Sequence, residues 1–328
     1  MHLPKTPKKN HIPLPFPPSP PTDEFDRLSR EVRGCYIVRY QKTEPSYTPS
    51  KFHSRTGVEG SRSPFSSIPF EGEFADEPYW QAVEASSQDH YNLHYPSDIE
   101  ASVCAHIPDF PLGWDMSKFS AKSELLRALV PYLGFKDEKI AGYTTPMLYV
   151  GSAGTTFALH SEDQNLFSCN YLLAGCPKVW YGVPPSYYSQ VISLISTIFA
   201  EKKIVQQCPQ AVMHKRFLLN PEVLHAAGIP TSRVIQRPGD MIITSPGAFH
   251  FGYNTGWNIA EASNFASDSW WTGGHFHDAL AVGQCACKEM KRFTFDDDDV
   301  RAGLLAIGVR VCVYPFTLAA AASSFPCS

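Results

Sequence analysis

The apolar positions of this chain follow two rhythms. Around 147–151, 166–173, 178–183, 241–244 and 258–265, short runs of branched and aromatic residues alternate with polar ones, the period of strands with one buried face. Two longer stretches show helical spacing instead. Residues 120–133 place Leu125, Leu126, Leu129 and Leu133 on one face, with Gly134 as a stop, and residues 186–203 predict a helix inserted among the strands. Arg237-Pro238-Gly239-Asp240 has Pro and Gly where a type II turn wants them. Many short strands joined by tight turns predict a mainly β fold, a sandwich or jelly roll with flanking helices.

The same texture divides the chain. Residues 1–52 are proline-rich, above all at 13–21, with a short amphipathic stretch at 22–32. Residues 53–69 lie in a run of Ser, Pro, Gly and Arg that predicts a linker. Dense apolar and aromatic patterning begins near residue 70 and fades near 294, which predicts one large domain over 70–294. The tail, 295–328, opens on an acidic run at 296–299 and carries no fold signature.

Composition narrows the function classes. With 32 acidic and 28 basic side chains, the chain lacks the basic excess of a direct nucleic-acid binder. The apolar stretch at 303–322 is broken by Arg310 and Pro315, so no membrane span is expected. The opening MHLPKTPKKNHIP has no apolar core of a secretory signal. Nine cysteines without such a signal point to a reducing compartment, where clustered Cys and His are first examined as metal ligands.

Two constellations result. In Leu159-His160-Ser161-Glu162-Asp163, strand alternation sends His160 and Glu162 the same way, and His250 stands at the end of a later strand. Two imidazoles and one carboxylate form the facial triad of non-heme Fe(II) oxygenases and leave positions for a bidentate co-substrate and O2. A lone His-x-Glu recurs by chance and a buried His is more often a hydrogen-bonded core residue, so the neighbours matter. Asn170, Lys178 and Trp180 follow on adjacent predicted strands, and a buried Lys178 would need an anion. The second constellation pairs Cys208 with His214 and Cys285 with Cys287, three thiols and one imidazole that suit a closed tetrahedral Zn(II) site.

Read together, Thr155-Thr156-Phe157-Ala158-Leu159-His160-Ser161-Glu162-Asp163, Asn170-Tyr171-Leu172, Gly175-Cys176-Pro177-Lys178-Val179-Trp180-Tyr181, Pro238-Gly239-Asp240, His250-Phe251-Gly252-Tyr253-Asn254 and Glu261-Ala262-Ser263-Asn264-Phe265 resemble the core of the JmjC demethylases, over about 79–291. The resemblance implies a double-stranded β-helix, a cupin-like jelly-roll barrel. It implies Fe(II) on His160, Glu162 and His250, and 2-oxoglutarate with its distal carboxylate on Lys178 and Tyr95. Asn170 would meet the co-substrate's other end, and Phe157 and Trp180 would wall its pocket. Tyr149, Ser263 and Asn264 would border a methylated ammonium. Cys208, His214, Cys285 and Cys287 fall where the trimethyl-lysine subgroup carries structural zinc, with the site spanning 208–287.

That subgroup implies a histone H3 tail as substrate, lysine 9 or 36 as target, a nuclear location and a partner for chromatin targeting. Pro15-Phe16-Pro17 and Asp23-Glu24-Phe25 faintly resemble the start of its JmjN segment, and Ala262 and Ser263 stand where the family often has Ser and Thr. Two other readings share the iron residues: a JmjC hydroxylase acting on a non-histone side chain, and an inactive JmjC chromatin scaffold.

Overall fold

A computed structural model describes residues 34–38, 65, 76–89, 93, 95–108, 116, 141–143, 145–208, 210–267 and 270. The expected helix at 120–133, Cys285, Cys287, the tail and nearly all of 1–52 lie outside the described residues.

The strands are β1 (Cys35–Ile37), β2 (Ile99–Glu100), β3 (Met147–Gly151), β4 (Thr156–His160), β5 (Phe167–Gly175), β6 (Lys178–Val183), β7 (Phe217–Leu219), β8 (Ser232–Gln236), β9 (Met241–Thr244), β10 (Phe249–Asn254) and β11 (Asn258–Phe265). They form two sheets, β1-β7-β4-β10-β6-β8 and β2-β3-β11-β5-β9. Every named pairing is antiparallel. Side chains from the two sheets meet between them, Gln236 with Asn170 and Asn264 with Glu162, so the architecture is the expected jelly roll.

Alternation explains what each central strand contributes. On β10, Phe249, Phe251 and Tyr253 point outward beneath helices, while His250, Gly252 and Asn254 point between the sheets. The outward set is an aromatic floor. Tyr253 stacks on Tyr79 of α1 (Glu77–Asp89) with ring centroids 3.7 Å apart, and Phe249 stacks on Tyr188 of α2 (Tyr188–Ile198) at 4.9 Å. Stacked pairs of this kind add about 0.5–1.5 kcal/mol each beyond the area they bury. On β6, Val179, Tyr181 and Val183 join this apolar layer, and Lys178 and Trp180 face inward.

One predicted element is interrupted. The helix expected over 186–203 opens as a 3-10 turn, Pro185–Tyr187, runs as α2, and stops at Phe199. The chain turns there because Phe199 is buried against Phe217, 4.7 Å between rings, before α3 (Lys203–Gln207) resumes. A final short helix, α4 (Pro221–Ala226), is capped by Asn220, which accepts from the Glu222 amide.

Candidate active site

β4 does not run straight to its functional end. His250 pairs with His160, but Gly252 pairs with Phe157, so three steps on β4 answer two on β10. This β-bulge turns Phe157 and His160 toward the same interior, which plain alternation would forbid. Glu162 lies just past the strand in extended conformation and keeps its carboxylate on that side.

The three ligands expected from sequence converge. The ligand atoms of His160, Glu162 and His250 all lie within 4.8 Å of one another. Glu162 Oε1 is 3.2 Å from His250 Nε2 and 4.0 Å from His160 Nε2. Each imidazole uses Nδ1 on a carbonyl two residues back: His160 on Ala158 at 2.6 Å and His250 on Ala248 at 3.1 Å. With Nδ1 engaged there, each ring keeps Nε2, the nitrogen it would offer to a metal, turned toward the centre of the triad. Asn264 Nδ2 donates to Glu162 Oε2 at 3.0 Å, leaving Oε1 to face the histidines.

Charge agrees with that geometry. Burial, then the neighbouring His250, lowers the His160 pKa to about 3, so its ring is neutral at physiological pH. Burial alone would raise the pKa of Glu162, but its hydrogen bond with His250 and the nearby His160 and Lys215 hold it well below the usual carboxylate range. A neutral imidazole and an anionic carboxylate converging with a second imidazole fit a divalent transition metal such as Fe(II).

Beyond the triad lies a lysine pocket. Lys178 is fully buried, and no acidic side chain pairs with it among the described residues. Nζ donates to Asn254 Oδ1 at 2.6 Å and lies 5.8 Å and 5.9 Å from the ring centres of Tyr95 and Phe157. Burial lowers its pKa to about 7. A desolvated ammonium between aromatic faces accommodates an anion. Phe157 and Trp180 pack 4.6 Å apart, and Trp180 comes within 5.8 Å of the His250 ring, so the pair bridges lysine and triad.

Gln236, absent from the sequence reading, joins the two sheets at this wall. Its Oε1 accepts from Trp180 Nε1 at 2.8 Å, and its Nε2 donates to the Asn170 carbonyl at 2.8 Å and side-chain oxygen at 3.2 Å. Asn170 therefore sits in the interior beside Trp180's partner. No sequence signal marks Gln236, because its role depends on a contact between sheets. Gly252 is a second such residue at this wall. A methyl group there would overlap the Val179 carbonyl oxygen and come within 2.6 Å of Phe157, so glycine is what lets β10 pass beneath the wall.

The remaining expected residues divide. Tyr149 faces the interior from β3 and donates its hydroxyl to Asp98 at 3.0 Å. Its pKa is raised by burial and then by Asp98 and Glu162, so the phenol stays protonated. Ser263 belongs to the outer face of β11, opposite Asn264: it pairs with Cys169, and its hydroxyl donates to the Asn264 carbonyl at 3.4 Å. On the same outer face, the buried Glu261 accepts from Ser102 Oγ and from the Val103 and Cys104 amides. That anchors the loop that carries Tyr95 and Asp98. Cys208 is buried at the end of α3, and its carbonyl accepts from Ala211 at the start of the turn Ala211–His214.

A jelly roll that gathers two histidines and one carboxylate beside a buried lysine has the donor set of a cupin-type non-heme metal centre. Residues 147–265 match the JmjC family model, described as "JmjC domain, hydroxylase". The chain is 40% identical over 152 residues to Lysine-specific demethylase 4D of Rattus norvegicus, covering 46% of this chain and 28% of that protein. It is 40% identical over 158 residues to Lysine-specific demethylase 4B of Mus musculus, covering 48% and 14%. It is 30% identical over 251 residues to Lysine-specific demethylase ELF6 of Arabidopsis thaliana, covering 75% and 17%. The chain thus spans less than a third of the length of each of these relatives.

Proposed function

We propose that the chain is an Fe(II)- and 2-oxoglutarate-dependent dioxygenase that removes methyl groups from trimethyl- or dimethyl-lysine, with the histone H3 tail, at lysine 9 or 36, as its substrate. The observation that carries this reading is the pairing of the His160, Glu162, His250 triad with the buried Lys178, which has no carboxylate partner among the described residues. The names of the relatives support lysine demethylation as the reaction. A histone substrate implies work in the nucleus, with a chromatin partner supplying targeting. Among the described residues no helix is long and apolar enough to cross a membrane.

His160, Glu162 and His250 would hold Fe(II), which supplies O2 activation coupled to oxidation of the co-substrate. Lys178 and Tyr95 anchor the distal carboxylate of 2-oxoglutarate, Asn170 orients its other end, and Phe157 and Trp180 exclude water. One oxygen atom of O2 ends in succinate, released with CO2. The other enters a C–H bond of the N-methyl group, and the hydroxymethyl product breaks to formaldehyde and N–H. Attack on carbon needs no nitrogen lone pair, so a quaternary ammonium is chemically accessible. Tyr149 and Asn264 line the approach to Glu162 and are the better-placed groups for methylammonium contact, Ser263 standing behind them. Cys208 and His214, with Cys285 and Cys287, would hold structural Zn(II).

Succinate and formaldehyde formed together from a trimethylated H3 peptide, and not from its unmethylated twin, are the expected result. Succinate with no formaldehyde on any methylated peptide would overturn the demethylase assignment.

A further inference from the structure

The strongest unused feature is a cluster of four buried polar side chains at the far end of the lysine pocket. Lys178, Asn254, Asn258 and Thr155 are all essentially inaccessible to solvent. Asn254 Oδ1 accepts from Lys178 Nζ at 2.6 Å and from Asn258 Nδ2 at 2.9 Å. Its Nδ2 donates to the Thr155 hydroxyl at 2.9 Å and carbonyl at 3.1 Å. The main chain pins the same residue, its amide donating to Thr155 and its carbonyl accepting from Gly154. Both faces of the carboxamide are thus committed, and flipping it would set an N–H against two donors. Its carboxamide packs directly on the Gly151 backbone, where an added Cβ would come within 2.6 Å of Asn254 Cγ.

From this placement we infer that Asn254, braced by Asn258 and Thr155, is the positioning residue that aims the Lys178 ammonium at the distal carboxylate of the co-substrate. The inference rests on the proposed role of Lys178 as carboxylate anchor. An ammonium has three donors, and this pocket commits one of them to a neutral acceptor. A neutral acceptor fixes direction and leaves the positive charge whole for an incoming anion. A carboxylate in the same place would neutralise the lysine from within, and the pocket would lose its demand for a ligand charge. The choice of amide over acid at this position therefore sets co-substrate affinity, and the hydrogen bonds of Asn254 run to Lys178, Thr155, Asn258 and Gly154 rather than to the triad.

The test is titration of 2-oxoglutarate, and separately of 2-oxopentanoate, onto the Mn(II)-loaded chain carrying Asn254→Asp, Asn258→Ala or Lys178→Ala. 2-Oxopentanoate keeps the metal-binding end and lacks the distal carboxylate. Asn254→Asp is expected to raise the Kd of 2-oxoglutarate at least about tenfold and to leave that of 2-oxopentanoate within about twofold. KM for 2-oxoglutarate should rise in parallel, with kcat at saturation little changed. Asn258→Ala should show the same pattern more weakly, and it decides the matter if Asn254→Asp fails to fold. An unchanged 2-oxoglutarate Kd, or equal weakening of both ligands, overturns the inference. Lys178→Ala separates the two ideas. If it leaves 2-oxoglutarate binding intact, the anchor reading itself falls; if it alone weakens binding, only the role of Asn254 falls.

Discussion

Replacing Gly252 by alanine puts one methyl group where the structure has none to spare. The added carbon would overlap the Val179 carbonyl oxygen, lie 2.6 Å from Phe157 Cζ and 3.0 Å from the Val179 carbonyl carbon. The first and last of these are backbone atoms of β6, which is hydrogen-bonded to β10 along its whole length, from Phe249 opposite Val183 to Asn254 opposite Lys178. Phe157 is confined in turn by Trp180. Neither neighbour relaxes cheaply, so the cost falls at the upper end of overpacking, about 3 kcal/mol. At about 2–4 °C per kcal/mol for a domain of this size, Tm should fall by about 6–12 °C. Relief must come from separating β10 and β6, which displaces His250 two residues away and weakens metal binding. Calorimetry and Mn(II) titration of Gly252→Ala check both consequences. A variant melting within a degree or two of the parent, with unchanged metal affinity, would refute the close-approach argument.

Three further predictions follow from the site. Because an anion selects the charged form of Lys178, whose pKa burial lowers to about 7, 2-oxoglutarate affinity should be flat below pH 7 and fall by up to about tenfold per unit above it; a pH-independent Kd between 7 and 9 would contradict this. Asn264→Ala removes the donor that holds Glu162 Oε2 and should weaken metal binding by about 10–100-fold, read by Mn(II) titration, with 2-oxopentanoate binding lost in proportion. Cys208→Ser should lower the zinc content of purified protein measured by mass spectrometry, and an unchanged content would remove Cys208 from the proposed zinc site.

What the sequence revealed was local. The strands at 147–151, 178–183, 241–244 and 258–265 have the observed bounds, because each is a short run rich in apolar and β-forming residues. The triad was legible because a two-residue spacing survives from β4 into the extended Glu162. What stayed hidden depends on partners distant in the chain. The bulge that aims Phe157 and His160 together is a property of the β4–β10 register, and Gln236 and Asn254 acquire their roles only where sheets and loops meet. The helix at 186–203 was over-extended because its apolar period continues through Phe199, whose burial against Phe217 requires a turn that the period conceals. Ser263 fell beside Asn264 in the motif, yet one step along a strand is the opposite face.

The central claim is that this site oxidises a methyl group on lysine nitrogen, and mass spectrometry of the product tests it most directly. Purified protein would be incubated with Fe(II), ascorbate, 2-oxoglutarate and trimethylated H3 peptides, beside a His160→Ala control. Stepwise loss of one methylene mass, dependent on 2-oxoglutarate and absent in the control, is the predicted result, and it names the target lysine. A gain of one oxygen mass that persists, or no 2-oxoglutarate-dependent change on any methylated peptide, would contradict the claim.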